Sequence, residues 1–283
     1  MDTTTRRQFI KGMGGVTLGM VALSGIGGAI SCAAPSASPP QSNPALVPSP
    51  TATQLQTLVY PWPYKKLDPI AAAERSYQAY YNGGCMYGAF EGIVGELRSV
   101  VGQPYTTMPT AMAKYGAAGV IGWGTLCGSL NGAAAAIYLI HEAKTGNPII
   151  NELFGWYGAE SLPDYKPKSP KFANMVTSVA ESQLCHQSVT RWCEKSGFKT
   201  TSPERAERCA WITASVVKYA VELLNKQTDQ GSITIAHAVP ASVTGCLSCH
   251  GKGGVKENVH ISSQITCASC HDTLPKTHPA LTN

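Results

Sequence analysis

Two copies of the pattern Cys-x-x-Cys-His stand within twenty-six residues of each other near the end of this chain, as Cys246-Leu247-Ser248-Cys249-His250 and Cys267-Ala268-Ser269-Cys270-His271. The sixty-four residues that follow Tyr219 contain no Trp, Tyr or Phe. A folded segment needs bulky apolar material, and the few Val, Ile and Leu present here supply little of it. Both facts have one explanation. In this pattern two thiols add across the vinyl groups of one haem, and the adjacent imidazole reaches the iron. The porphyrin then brings the apolar bulk that the side chains lack. A lone Cys-x-x-Cys would suit a zinc knuckle or a redox dithiol equally well. Duplication with a His each time points instead to two haem c groups per chain. Cys246, Cys249, Cys267 and Cys270 are their covalent anchors, and His250 and His271 their proximal ligands.

Each iron needs a sixth ligand or an open position. Every Met lies at or before Met175, so a methionine ligand would have to come from outside the haem segment. Three further histidines lie within it: His237, His260 and His278. We expect His237 and His260 as the distal ligands, with His278 in reserve. Bis-imidazole ligation gives low-spin irons without a free site, which suits electron transfer rather than substrate chemistry. His141 and His186 are expected to be structural.

The first residues read as an export signal. Thr5-Arg6-Arg7-Gln8-Phe9-Ile10-Lys11 has the twin-arginine pattern, and a Gly-rich, weakly apolar stretch follows to Ile30. That stretch is short and too rich in small residues for a durable membrane span. Residues 1–34 are expected to be removed in the periplasm. Membrane association would require lipidation of Cys32, and Ala29 is a poor residue at the corresponding lipobox position. Residues 35–63, dominated by Pro, Ser, Ala and Thr, form a tether. The formal net charge of +5 includes Arg6, Arg7 and Lys11 of the leader, and haem propionates would offset the remainder, so no nucleic-acid surface is implied.

Residues 64–230 are expected to form a mainly α domain. Asp68-Pro69 starts a helix that Gly83-Gly84 stops, and Cys85 to about Val101 forms a second. Gly124 opens a third, with Cys127, Leu130, Ala134, Ile137 and Tyr138 on one stripe. A helical stretch near Lys171 to Lys195 ends at Gly197. Ser202 caps the last helix, with Pro203 at its first position, and Ala206, Cys209, Thr213, Val216, Ala220 and Leu224 share its buried face. Beyond Gln230 the chain is loop-like, apart from a short strand expected over Ser232 to Ala236.

Five cysteines remain: Cys85, Cys127, Cys185, Cys193 and Cys209. Disulfides suit an oxidising compartment, but an odd number cannot pair completely. Two residues eight apart on one helix, as Cys185 and Cys193 would be, stand about 12 Å from each other, too far for a bridge. Buried free thiols are a second reading, and an iron–sulfur cluster held by four thiolates is a third. The export route favours the third. Haem c is attached after translocation, whereas the twin-arginine route carries folded proteins, often with a cofactor already inserted.

Gly84-Cys85, then Gly122-Trp123-Gly124-Thr125-Leu126-Cys127-Gly128-Ser129-Leu130-Asn131-Gly132-Ala133, then Cys185 and Cys209, resemble the C_GCAxxG_C_C family pattern. With a twin-arginine signal before it and two haem motifs after it, the arrangement is similar to split-Soret cytochromes c. The resemblance implies a homodimer whose haems pack close together at one end of each subunit, and bis-His ligation in which a partner subunit can contribute. It also implies a cysteine pocket suited to an iron–sulfur cluster, carried here by Cys85, Cys127, Cys185 and Cys209. Two departures stand out. Met86 occupies a position where the family usually has Ala, and Cys193 is an additional thiol that could take the place of Cys185.

The sequence therefore reads as a periplasmic dihaem electron carrier with unidentified redox partner proteins, rather than as an enzyme. A haem-dependent reductase of a small oxyanion, needing one iron with a free or weak sixth position, is one alternative. A redox sensor or assembly protein working through its cysteine pocket is another. Both haems should remain on the polypeptide after denaturation. Replacing Cys246 and Cys249 together by Ala should leave one, as counted by haem absorbance per chain.

Overall fold

The computed structural model describes residues 59–237, 239–257 and 264–267. The leader, the tether as far as residue 58, and His260, Cys270, His271 and His278 lie outside the described residues. All described residues belong to one compact unit, Ser49–Asn283.

The first helix, α1 (Pro69–Val100), starts where the sequence places it. Asp68 accepts a 2.8 Å hydrogen bond from the Ile70 amide, and Pro69 spends no donor at the first helical position. At Gly84 the backbone leaves helical geometry (φ 81°, ψ −173°) and the chain doubles back. The arms on either side pack along each other at glycines. A Cβ on Gly88 would stand 3.0 Å from the Tyr80 backbone, and one on Gly92 2.7 Å from the Ser76 Cβ. Arg75 and Glu96 close the far end of this hairpin with a 2.6 Å ion pair. Gly84 therefore does more than stop a helix. It reverses the chain in one residue, in a conformation available essentially to glycine alone.

Four more α-helices follow as far as Gln230: α2 (Gly128–Ile140), α3 (Ala143–Ala159), α4 (Cys185–Ser196) and α5 (Pro203–Gln230), of which α2 and α5 pack on the hairpin. The Ser202 hydroxyl accepts from the Arg205 amide at 3.2 Å, as a cap should, and Gly231 ends α5 in the left-handed region. The main core joins Phe90, Ile93 and Leu97 of α1, Leu130 and Ile137 of α2, Leu153 of α3, and Val216, Val217 and Leu224 of α5. A second cluster sets Ala73 and Tyr77 of α1 against Ala210, Trp211 and Ala214 of α5. Buried Glu207 fastens this seam by accepting from Tyr77, Tyr81, the Trp211 indole and the Lys171 amide. The fold is mainly α, and among the described residues its one sheet is a two-residue antiparallel pair, β1 (Ser161–Leu162) with β2 (Ser178–Val179).

The structure corrects five local expectations, the first being the loop beyond Gln230, where Ala241–His250 is helical. Helix α2 begins at Gly128, not Gly124, because left-handed conformations recur from Ala118 to Gly124 (Ala118, Gly119, Val120, Ile121, Gly122 and Gly124). Its buried stripe is Leu130, Ala133, Ile137 and Ile140, while Tyr138 is exposed. Of the stretch from Lys171 to Lys195, only the part from Cys185 onward is helical; the rest is extended or turn and includes β2. Ser232 to Ala236 forms no strand. These residues instead carry the chain to Glu152, as described below.

Gly84→Ala should cost about 1–3 kcal/mol of folding stability, the range for a residue forced into so rare a backbone conformation. The new Cβ would also stand 2.7 Å from the Ala117 Cβ. Denaturant unfolding followed by circular dichroism checks it.

Candidate functional site

Four cysteines line one cavity of about 450 Å³: Cys85, Cys127, Cys185 and Cys209. The fold brings each there by a different local device. Cys85 is the first residue beyond the Gly84 reversal, so it sits at the N-terminal end of the second arm. Cys127 occupies the N-cap position of α2, and Cys185 is the first residue of α4. Backbone bonds splice these last two together. The Cys127 amide donates to the Gln183 carbonyl at 2.9 Å, the Cys185 amide to Thr125 at 2.6 Å, and the His186 amide to Gly124 at 3.0 Å. Cys209 reaches in from the second turn of α5. Gly128 keeps α2 tight against Cys85, since a Cβ there would collide with the Cys85 sulfur.

Three of the four thiols thus stand at helix starts, where unpaired amides and the helix dipole favour negative charge. The Ala118 and Met86 amides likewise favour the charged form of Cys85. Burial works the other way. It pushes the Cys85 thiol up to about 12, with Cys127 and Cys209 adding to the shift, and it raises Cys185 as well. Without a cation among them, Cys85 and Cys185 stay protonated at neutral pH.

A charge of the opposite sign already waits beside them. Arg208 is 2% exposed and lines the cavity. Its Nη2 donates to the Ser188 hydroxyl at 2.8 Å, which also accepts from Tyr157, while its Nε has no partner. No carboxylate pairs with it among the described residues. A buried, unpaired guanidinium is costly, and a centre carrying four thiolates would supply the missing negative charge. Among the described residues no three His, Cys, Asp or Glu stand close enough to bind a single ion. The donor set, the buried cation and the cavity suit an anionic centre of more than one metal atom.

Cys193 does not line the cavity. It lies two turns along α4 from Cys185, so the structure does not bring it in as a replacement ligand. No disulfide joins any of the described cysteines. His186, read from sequence as structural, does line the cavity, as do Tyr80, Arg205 and Arg208. The available signal for the arginines was their position one turn and one residue before Cys209, on a helix whose faces between Glu207 and Val217 are nearly all buried.

Cys246, Cys249 and His250 lie on α6 (Ala241–His250). Residues three apart on a helix share a face, so the two thiols stand side by side. Among the described side chains of α6 only Val243 is buried, while Cys246 and Leu247 are half-buried and Cys249 is exposed. This apolar, little-covered helix has room for a porphyrin against it, and its donor set fits haem c. Cys267 is described, but its motif partners Cys270 and His271 are not.

His237 is held in place from several sides. Its Nδ1 lies 2.6 Å from the Oε1 of Glu152, a carboxylate with no exposure to solvent. The other oxygen of Glu152 accepts from the Ala236 and His237 amides at 2.8 and 2.9 Å, and the Tyr219 hydroxyl donates to Oε1 at 2.8 Å. Burial alone would raise the Glu152 carboxyl, but these donors hold it below its ordinary value. Partial burial opposes charge on the His237 ring, and the bonds to Glu152 and Glu160 outweigh it and raise its pKa.

The family described as "Putative redox-active protein (C_GCAxxG_C_C)" matches residues 87–223. Split-Soret cytochrome c of Desulfovibrio desulfuricans (strain ATCC 27774 / DSM 6949 / MB) is 34% identical over 284 aligned positions, covering 98% of either chain. A solved structure described as "A novel iron centre in the split-Soret cytochrome c from Desulfovibrio desulfuricans ATCC 27774" superposes with a TM-score of 0.70 at 36% identity, covering 78% of this chain and 93% of that one. Likeness over nearly the full length, together with the cysteine cavity and the helix that carries Cys246, Cys249 and His250, makes this a redox protein belonging to the split-Soret cytochrome c family.

Proposed function

We propose that this chain is a periplasmic electron carrier that works as a homodimer, with two low-spin haem c groups per subunit and an iron–sulfur centre in the cysteine cavity. The observation that carries the proposal is the pairing of two separate donor sets in one redox protein: the thiols and imidazole of α6, and the four thiols beside buried Arg208. Haem and iron–sulfur groups, when bound, each exchange one electron without a change of ligands.

The chain's own residues decide how those groups are held. Cys246, Cys249, Cys267 and Cys270 anchor the porphyrins, and His250 and His271 take the proximal positions. His237 and His260 take the distal ones, so that neither iron keeps an open site. Cys85, Cys127, Cys185 and Cys209 hold the iron centre, and Arg208 offsets its negative charge. The twin-arginine signal suits a protein exported with that centre already in place. The solved relative is described as containing a novel iron centre, which supports iron at this cavity without fixing its type.

Anaerobically purified protein should contain iron beyond two atoms per chain, together with acid-labile sulfide. Cys127→Ser and Cys209→Ser should lose the extra iron and keep both haems, while Cys193→Ser should keep everything, since that thiol lies off the cavity. Protons must leave Cys85 and Cys185 when metal binds, so retention of the extra iron should weaken as pH falls. Two irons per chain with no sulfide, in protein prepared without oxygen, would falsify the cluster.

The dimer is tested separately. Sedimentation should give about twice the monomer mass; haems packed close enough to couple should split the main absorption band, and that splitting should collapse on dissociation. A monomer that keeps the split band would remove the second subunit from the proposal.

A further inference from the structure

We propose that Glu152 is the positioning residue for a haem ligand. Buried inside α3, it fixes the tautomer and direction of His237, so that Nε2 is presented to iron, and it sets how strongly that nitrogen binds. The inference rests on the reading of His237 as a distal ligand.

Glu152 has no exposure to solvent, and neither a lysine nor an arginine pairs with it among the described residues. A lone buried carboxylate is costly unless its oxygens are satisfied. Its partners here are the Tyr219 hydroxyl and three groups of one short stretch, the Ala236 amide, the His237 amide and the His237 ring. Two of its four bonds therefore go to the amide and ring of a single histidine, and a third to the amide of the residue just before it. Tyr219 is itself stacked on Trp156 at 4.5 Å between ring centroids, so the fourth partner is held by packing. Gly155 completes the cradle, because a Cβ there would collide with the His237 carbonyl.

A tie between a loop and a helix would not need so much. The two amide bonds alone would secure the backbone at this point. The 2.6 Å contact to Nδ1 adds something they do not, since it places the ring proton on Nδ1 and leaves the Nε2 lone pair for a metal. Among the described residues Nε2 has one hydrogen-bonding neighbour, Glu160 at 3.3 Å, whose side chain is 52% exposed. That weak surface contact is easily exchanged for a stronger one. A carboxylate behind an imidazole also makes the imidazole a better donor, which favours ferric iron and lowers the potential of the haem it binds.

Redox titration and electron paramagnetic resonance of the intact dihaem protein test this. Glu152→Gln keeps the shape but removes the charge, so the potential of one haem should rise. At a fixed electrode potential, its ratio of reduced to oxidised iron should increase about tenfold, which is 59 mV for one electron. The low-spin signal of that haem should move, and the other haem should be unchanged. Tyr219→Phe keeps the stacking but removes a donor that competes for the same oxygen, so the shift should be smaller and opposite in sign. This second variant also decides the matter if Glu152→Gln fails to fold. Glu160→Gln should change neither potential. His237→Ala separates the two levels of the proposal. If it leaves both haems low-spin, His237 is not a ligand and the underlying reading fails. If it makes one haem high-spin while Glu152→Gln or Tyr219→Phe moves neither potential nor signal, His237 binds iron unaided and the role of Glu152 is overturned.

Discussion

The reversal of the chain at Gly84 is the constraint on which the rest of the molecule depends. A helix of 32 residues running straight would span nearly 50 Å and could not share a core with its own beginning. Folding back at one residue lays Gly88 and Gly92 against Ser76 and Tyr80, and makes the paired arms the wall against which α2 and α5 pack. It also sets Cys85 at the start of an arm, beside the N-terminal ends of α2 and α4. Close glycine contacts leave little slack, so the thiol positions follow from the backbone rather than from side-chain choice. The cysteine cavity is a product of how the helices meet.

Polar groups do much of the joining elsewhere. Glu207 takes four donors at the seam between α1 and α5, and Glu152 takes four between α3, α5 and the chain that follows α5. Each is buried, and each is satisfied without a basic side chain other than the His237 ring. Such carboxylates fix direction, because their lone pairs accept only from well-placed donors, whereas aliphatic contacts tolerate sliding. Asn225 does the same for the N-terminal segment, bonding Tyr64 and both backbone groups of Leu67 near the end of α5. The helical body is thus pinned at its edges by hydrogen bonds and filled at its centre by Leu, Ile, Val and Phe.

Much of this was legible in the sequence, for identifiable reasons. Ser202-Pro203 announces α5 because cap and first-turn chemistry are local, and Gly83-Gly84 announces a break for the same reason. That the break is a full reversal depends on glycines four and eight residues later meeting residues four and eight earlier, which no local signal reveals. Helix α3 escaped a separate assignment because Pro148, Gly146, Gly155 and Gly158 interrupt its pattern, although Ile149, Leu153 and Trp156 bury one face. The four cavity cysteines were legible through a family resemblance, not through spacing, since Cys127 and Cys185 become neighbours only by backbone bonds across a long loop. Arg208 was not legible as a site residue. An arginine on an amphipathic helix ordinarily faces water, and here tertiary packing turned it inward.

Buried Arg208 has a consequence for how the protein behaves over its lifetime. Its guanidinium has no carboxylate partner among the described residues, and leaving one half of such a pairing alone inside a protein costs several kcal/mol. Occupancy by an anionic centre removes that penalty at the junction of α4 and α5, so the free energy of loading is also free energy of folding. A chain whose cavity held such a centre would open less often at this junction than one without it, a difference that a protease could read without touching the metal. Arg208 turns an empty cavity into a local weakness.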